Sequence, residues 1–304
     1  MANLREIKAR IASVSSTMQV TRTMEMISTA KIRRALERAR EAEPYKDAIT
    51  RMLSHVAGAS SGAEEPLLQK HAAEKCVLFV LIASDRGMAG GFNIQPQRLV
   101  QREMEKLEAK GIECQLITAG RRPTEYFTFR GRQPVLSIQG NSSEPTMDDA
   151  SRIATYIIHG YVTGAIDRVV IYYSHARNRV DQKLVHEQIL PVTTEDLIMV
   201  NQPREPEALT EIDQRMVTTY NFEPSASVVL GYLMPAYIRT IVLHALLDSA
   251  AAEHGARRRA MQSATENAKE VITALSRTYN RERQGSITTE LNEIIAGASA
   301  LEDK

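Results

Sequence analysis

The sequence predicts an α/β protein in which the two ends of the chain are long helices that pair as an antiparallel coiled coil around an inserted α/β domain. Three observations lead there. Residues 1–57 contain no glycine and a single proline, Pro44. After Pro235 no proline occurs, and only Gly255, Gly285 and Gly297 interrupt good helix formers. Between these ends, short runs rich in β-branched and aromatic residues alternate with helix-like stretches, the pattern of a sheet covered by helices.

Residues 1–57 are expected to form the N-terminal coiled-coil helix. Leu4, Ile7, Ile11, Val14 and Met18 follow one another at spacings of 3, 4, 3 and 4, the narrow stripe of a two-helix seam rather than a broad core face. The register is expected to slip near Val20 and to resume at Met24 and Ile27. At ~1.5 Å per residue such a helix reaches roughly 85 Å, longer than a compact domain needs.

Residues 75–192 are expected as the central α/β domain. Strands are predicted over Val77–Ala83, Gln115–Thr118, Pro134–Ile138 and Val169–Tyr173, and helices over Gln97–Glu108 and Asp148–Thr163. This alternation predicts a Rossmann-like sheet. Cys76 and Cys114 each lie in an apolar run, where a free thiol acts as a small core residue and no disulfide is expected. Glycine, serine and proline in residues 58–74 and 193–224, including Pro203, Pro206 and Pro224, mark linkers.

Residues 225–304 are expected as the C-terminal coiled-coil helix. Ile287, Leu291, Ile294, Ala298 and Leu301, spaced 4, 3, 4 and 3, form a second heptad seam. Upstream, Ala245, Ser249, Ala252 and Ala256 place small residues on one face, which lets two helix axes approach closely. One long helix leads into the α/β domain and the other leaves it, so pairing the two requires opposite directions.

The composition, 43% hydrophobic and 25% charged over 304 residues, is enough to bury a core. No apolar run is expected near the ~18 to 20 residues that span a bilayer. The opening Met1-Ala2-Asn3-Leu4-Arg5-Glu6 lacks the apolar stretch of a signal peptide, and Glu6 and Glu25 argue against an acid-poor transit peptide. A soluble, bacterial cytoplasmic chain is the expectation. The net charge of +1 hides an asymmetry: residues 1–40 hold nine basic and three acidic side chains, so this segment is +6 and the rest −5. A local basic surface calls for an acidic partner, whether nucleic acid, anionic lipid or an acidic protein loop.

Ser84-Asp85-Arg86-Gly87-Met88-Ala89-Gly90-Gly91-Phe92-Asn93 is a glycine-rich turn between a predicted strand and helix. Glycines there could bring the backbone to a phosphate. The run is neither GxGxxG nor GxxxxGK[ST], however, so a tight structural or contact turn is the other reading. The seven histidines show no HExxH spacing and neither cysteine has a CxxC partner, so no metal site is expected. No nucleophile, base and orienting group stand together. In the C-terminal helix, Arg257, Arg258 and Arg259, then Asn280, Arg281, Arg283 and Gln284, then Ser286, Thr288 and Glu290 gather polar groups around the seam. Arginine and glutamine at set heights suit bonds to carboxylates and main-chain groups of a surrounding partner.

Three blocks resemble the gamma subunits of the F-type ATP synthases. The first is Ile7-Lys8-Ala9-Arg10-Ile11-Ala12-Ser13-Val14 with Thr23-Met24-Glu25-Met26-Ile27 and Lys31-Ile32-Arg33; the second is the turn Ser84–Asn93. The third comprises Ala256-Arg257, Ala260-Met261, Ser263 to Ala268 and Tyr279 to Ile294. Together they cover roughly half of the chain. Met88-Ala89 stand where Leu-Cys is common in that family, Gly285 where Ala is, and Arg258-Arg259 where apolar residues are. Residues 193–235 make a longer segment than in many bacterial members. It lacks the cysteine pair of the redox-switched plant form, so thiol regulation is not expected.

The resemblance implies a non-catalytic rotor shaft, without cofactor, that couples ion-driven rotation of a c-subunit ring to ATP synthesis or hydrolysis. The coiled coil would pass through a hexamer of alternating alpha and beta subunits, and the α/β domain would sit on the c-ring beside epsilon. One copy per complex is implied, at the cytoplasmic side of a bacterial inner membrane. By the same carry-over, Met24, Lys31, Arg33, Arg34, Arg257, Gln284, Thr288 and Glu290 would meet the hexamer. Arg86, Gly87, Gly90 and Gly91 would face the c-ring and epsilon end. Two other readings stay open on the residues alone: a coiled-coil protein that binds nucleic acid through its basic first helix, with steep salt dependence, and a nucleotide-dependent α/β enzyme using the Gly87–Gly91 turn.

Overall fold

The computed structural model describes residues 4–59, 65–178, 181–192, 223 and 225–302. In chain order the elements are α1 (Leu4–Ala59), β1 (Cys76–Ile82), α2 (Ile94–Glu108), β2 (Glu113–Ala119), α3 (Arg121–Phe129), β3 (Leu136–Ile138), α4 (Met147–Val162), β4 (Arg168–Ala176), β5 (Gln182–Leu190) and α5 (Ala226–Glu302). The chain divides into two compact units, Met1–Ser28 with Arg257–Lys304, and Thr29–Ala256. Apart from Glu223, the predicted linker over 193–224 lies outside the described residues.

In the Thr29–Ala256 unit, the five strands are ordered β3-β2-β1-β4-β5. The first four are parallel and β5 is antiparallel to β4. This 3-2-1-4 order is that of the nucleotide-binding doubly wound sheets. The central strand, Cys-Val-Leu-Phe-Val-Leu-Ile, is buried at every position because helices cover both faces. Side chains alternate across the sheet. Val77, Phe79 and Leu81 pack with Val100 and Met104 of α2 and Phe127 of α3. Leu78, Val80 and Ile82 share the opposite core with Ile153, Ile157 and Tyr161 of α4, and with Ile49 and Leu53 of α1. Leu230, Met234, Ile238 and Val242 of α5 complete that core. A capping box starts α4: Thr146 Oγ1 accepts from the Asp149 amide, and the Asp149 carboxylate accepts from the Thr146 amide.

The two long helices run antiparallel through this unit. Ala35 of α1 clusters with Ala251, Ala252 and Ala256, whereas Ile49, Leu53 and Val56 cluster with residues from Leu230 to Leu246. The small-residue face predicted on α5 is buried: Ala245, Ser249, Ala252 and Ala256 are each at most 5% exposed.

Three features differ from the sequence reading. The nine-residue edge strand β5 was not predicted, because its Gln-Lys-Leu-Val-His-Glu-Gln-Ile-Leu is half polar and only one face is covered. Helix α3 was not predicted either; Pro123 stands in its first turn, where proline is tolerated. Finally, α5 does contain an 18-residue window apolar enough to cross a bilayer by composition, against the expectation of none. Its apolar side chains Leu230, Met234, Ile238 and Val242 are at most 2% exposed in the sheet core, which accounts for that apolarity.

Candidate functional site

In the helical unit formed by Met1–Ser28 and Arg257–Lys304, burial marks out the seam. On α1 the covered positions include the stripe Leu4, Ile7, Ile11, Val14, Met18, Thr21, Glu25 and Ser28, with unbroken spacings of 3 and 4, and Ser15 and Met24 are half-buried beside it. The register therefore does not slip at Val20. Polar residues take over the seam, and Val20 and Ile27 turn outward at 52% exposure each. Thr21 and Thr265 meet across it, hydroxyl to hydroxyl at 2.8 Å. On α5 the partner stripe is Met261, Thr265, Ala268, Ile272, Leu275, Tyr279 and Glu282, again spaced by 4 and 3.

That stripe ends opposite the described start of α1. Leu4 lies 17 residues before Thr21, and Glu282 lies 17 residues after Thr265, as antiparallel pairing requires. The remaining α5 residues from Arg283 to Glu302, about 30 Å of helix, pass beyond the described start of α1. Every described side chain from Arg283 to Ala296 is exposed. The predicted C-terminal seam is thus not paired with α1: Ile287, Leu291, Ile294 and Ile295 are 46%, 53%, 70% and 57% exposed. Ala298 and Leu301 have side chains outside the described set. Ile287 and Ile294 also fall one residue past the positions where the paired stripe would continue, Ser286 and Glu293. That is a rotation of about 100° around the helix.

The predicted contact residues divide accordingly. Met24 and Arg257 are half-buried beside the paired seam, whereas Gln284, Thr288 and Glu290 stand on the single exposed helix. The Thr288 hydroxyl donates to the Gln284 backbone carbonyl at 2.9 Å.

In the Thr29–Ala256 unit the glycine-rich turn follows β1 at the carboxyl end of the parallel strands. Gly90 and the non-glycine Met88 take left-handed φ values of 59° and 60°. Asn93 closes the turn: its Oδ1 accepts from the Ser84 amide at 3.0 Å and the Ser84 hydroxyl at 2.9 Å, and its Nδ2 donates to the Arg86 carbonyl at 3.3 Å. Gly120, at φ +114°, lies so close that a Cβ there would stand 2.5 Å from the Ala83 carbonyl oxygen.

Asp85 binds this turn to its surroundings. Its Oδ1 accepts from the Arg121 and Gly140 amides at 2.8 and 3.0 Å, and its Oδ2 from the Ser142 amide at 2.9 Å. Burial pushes the carboxyl up, but these backbone donors outweigh it and hold Asp85 below the usual carboxylate range. Amides at the start of α3 and in the Gly140–Ser142 turn thus have the chain's own carboxylate as their acceptor, which ties the turn after β1 to the turns after β2 and β3.

Ala89 and Phe92 of the turn bury against Ala35 of α1 and against Ala251, Ala252 and Ala256 of α5. Lys31, Arg33 and Arg34 flank Ala35 on α1, with Lys31 half-buried and both arginines exposed. Arg33 Nε donates to Glu37 Oε1 at 2.8 Å. The sequence reading assigned Arg86, Gly87, Gly90 and Gly91 to a different end from Lys31, Arg33 and Arg34. Within this unit the turn packs close to that part of α1, because the alanine faces of α1 and α5 admit it. Beside the turn, Arg130 lies over the Tyr126 ring at 3.6 Å, and Phe129 is 89% exposed.

Sequence reasoning passed over Thr21, Glu25 and Ser28 as seam positions and Asp85 as the staple. The first three were detectable by extending the 3-4 spacing from Leu4 to Ala35 regardless of polarity. Nothing local signalled Asp85, whose partners lie 36 to 57 residues away.

A protein family described as ATP synthase matches residues 3–301. The chain is 39% identical over 302 residues to an ATP synthase gamma chain of Desulforamulus reducens, covering 99% of this chain and all of that one. Its fold is similar to a chain in the mitochondrial ATP synthase OSCP/F1/c-ring structure of Euglena gracilis, with TM-score 0.65 and 19% identity over 98% of this chain and 94% of that one. It is also similar to one in the central stalk and c-ring structure of Tetrahymena thermophila mitochondrial ATP synthase, with TM-score 0.57 and 20% identity over 81% of this chain and 99% of that one. The long terminal helices around a mixed sheet are thus shared in fold, and the full-length sequence match carries the assignment: the chain belongs to the ATP synthase gamma-chain family.

Proposed function

We propose that this chain is the central rotor shaft of an F-type ATP synthase and performs no chemistry itself. The observation that carries the reading is the stretch Arg283–Ala296, a helix that runs past the described part of α1 and exposes Ile287, Leu291, Ile294 and Ile295. An apolar stripe rotated off the intramolecular seam and covered by none of the described residues suits a surface that meets a partner. A ring of alternating alpha and beta subunits supplies one on all sides. Because the faces of the helix differ, three beta subunits of identical sequence each meet a different surface and are held in different conformations. Rotation exchanges those states by differential binding.

In this reading Arg257, Gln284, Thr288 and Glu290 contact the ring along α5. Met24, Lys31, Arg33 and Arg34 meet acidic beta-subunit segments along α1, which fits the +6 charge of residues 1–40. The turn that holds Arg86, Gly87, Gly90 and Gly91 packs close to this part of α1, and these residues join that contact zone. The c-ring and epsilon would then dock elsewhere on the α/β unit. One copy serves each complex, on the cytoplasmic side of a bacterial inner membrane.

The test is purification of the complex from native membranes carrying Ile295→Cys. Alpha and beta subunits should accompany the chain, and oxidation should join a ring-subunit cysteine placed opposite to position 295. Absence of both subunits from the purified material would refute the reading. In the same complex Arg257→Ala or Gln284→Ala should impair ATP turnover while the isolated chain folds normally. Normal turnover by both variants would remove these two residues from the contact set.

A further inference from the structure

In the Thr29–Ala256 unit the glycine-rich turn and α3 face each other across a groove of about 420 Å³. Met88 of the turn and Ile94 at the start of α2 stand on one wall, and Arg122, Tyr126, Phe129 and Arg130 of α3 and its C-cap on the other. Helix period sorts these side chains. On α3, Pro123 and Phe127 are buried in the core, so positions 122, 126, 129 and 130 share a second face that the core does not use. Phe129 is 89% exposed, Met88 58% and Ile94 37%.

Two features hold this apolar surface outward. Met88 takes φ 60°, a left-handed value that costs a non-glycine residue free energy. Its neighbours Ala89 and Phe92 bury against α1 and α5, whereas Met88 lines the groove. On the other wall Arg130 lies over the Tyr126 ring at 3.6 Å and donates to the Tyr126 carbonyl at 3.2 Å, which fixes the end of α3 that carries Phe129. Phenylalanine, tyrosine, methionine and arginine are the side chains enriched where proteins meet.

The charge around the groove is one-sided. Residues 84–98 and 121–130 hold five arginines, Arg86, Arg98, Arg121, Arg122 and Arg130, against the carboxylates of Asp85 and Glu125. Asp85 is engaged by the Arg121, Gly140 and Ser142 amides, and Glu125 is shared by Arg121 at 3.0 Å and Arg122 at 3.3 Å. Arg86, Arg98 and Arg130 have no ion pair among the described residues. The walls are two helices and a turn, so an extended segment would find no strand edge to pair with. A helix brings its own backbone hydrogen bonds and presents side chains every three or four residues.

We propose that this groove docks an acidic amphipathic helix of another subunit, with its apolar face on Met88, Ile94 and Phe129 and its carboxylates on the arginine rim. The inference rests on the rotor reading for the presence of a complex, and adds to it the side chains that receive the helix and the chemistry that helix must have.

The probe is p-benzoylphenylalanine at position 129, irradiated in native membranes before the complex is purified. The expected product is a cross-link to another subunit, at a peptide with two or more carboxylates and with apolar residues recurring every three or four positions. Adding Arg130→Glu or Met88→Asp should lower its yield about fivefold or more. The same probe at position 110, an exposed lysine just past the far end of α2, should give none. Copurification of alpha and beta subunits with each variant reports that the chain is folded, and the two substitutions keep the test decisive if one of them disturbs the fold. A cross-link only within this chain, one to a peptide without carboxylates, or a yield unchanged by both substitutions would overturn the proposal. Absence of every other subunit from the purified material would overturn the rotor reading and this inference together, whereas their presence without a cross-link from position 129 would overturn this inference alone.

Discussion

Replacing Asp85 by asparagine keeps the shape of the side chain and changes what its second oxygen can do. The Oδ1 position would remain an acceptor for the Arg121 and Gly140 amides, at 2.8 and 3.0 Å, but without charge. The other position would turn an NH₂ toward the Ser142 amide, now 2.9 Å from Oδ2, setting donor against donor. Losing charge assistance on two bonds costs about 1 kcal/mol each, and one amide without an acceptor costs about 1–3 kcal/mol. Asp85 is half-buried, so water recovers part of this, leaving roughly 2–3 kcal/mol. In hydrogen exchange, that loss should speed exchange at Arg121, Gly140 and Ser142 by about 30- to 150-fold if they open locally.

The effect should depend on pH with a defined sign. The folded Asp85 titrates below its unfolded value, so its contribution is present above about pH 4 and lost as pH falls through the folded pKa. The urea-unfolding difference between the wild-type chain and Asp85→Asn should therefore shrink below about pH 4. Exchange rates altered less than threefold at all three amides, or an equal urea difference at pH 3 and pH 7, would refute the staple.

Other substitutions test the packing. Gly120→Ala should destabilise the α/β unit by about 3 kcal/mol or more, because φ is +114° and the new Cβ would meet the Ala83 oxygen at 2.5 Å. Gly111→Ala, at φ +79° with open space around it, should cost only about 1–2 kcal/mol, and thermal unfolding of the pair checks the contrast. Leu53→Ala, at 0% exposure between α1 and the sheet, should cost about 2–5 kcal/mol, while Val20→Ala on the outer face should stay within about 0.5 kcal/mol by urea titration. Thr21→Val and Thr265→Val should each destabilise the helical unit by about 0.5–1.5 kcal/mol, whereas the double variant should be near neutral. Additive losses in that cycle would show that the hydroxyl pair is not coupled.

The strands β1 and β4 could be found from sequence because parallel strands buried on both faces carry long apolar runs, whereas β2 was visible only through its β-rich Leu116-Ile117-Thr118. β5 could not, since an edge strand with one covered face carries a mixed sequence whose partner, β4, decides its conformation. Among the contact candidates, Lys31, Arg33 and Arg34 were visible as charge. Their nearness to the Ser84–Asn93 turn was not, because it depends on alanines at 35, 251, 252 and 256 that come together only when α1 and α5 pack.

The sequence alone determined that both ends are long helices with heptad stripes and that a sheet lies between them, because period and the placement of glycine and proline are local properties. Only the tertiary structure decided which stripe is covered by which. Heptad spacing states that a helix has an apolar face, not what lies against it. The seam of α1 continues through Thr21, Glu25 and Ser28 because the facing helix covers those positions whatever their polarity. The best apolar heptads of α5, from Ile287 onward, are left uncovered because the described part of α1 starts at Leu4, opposite Glu282.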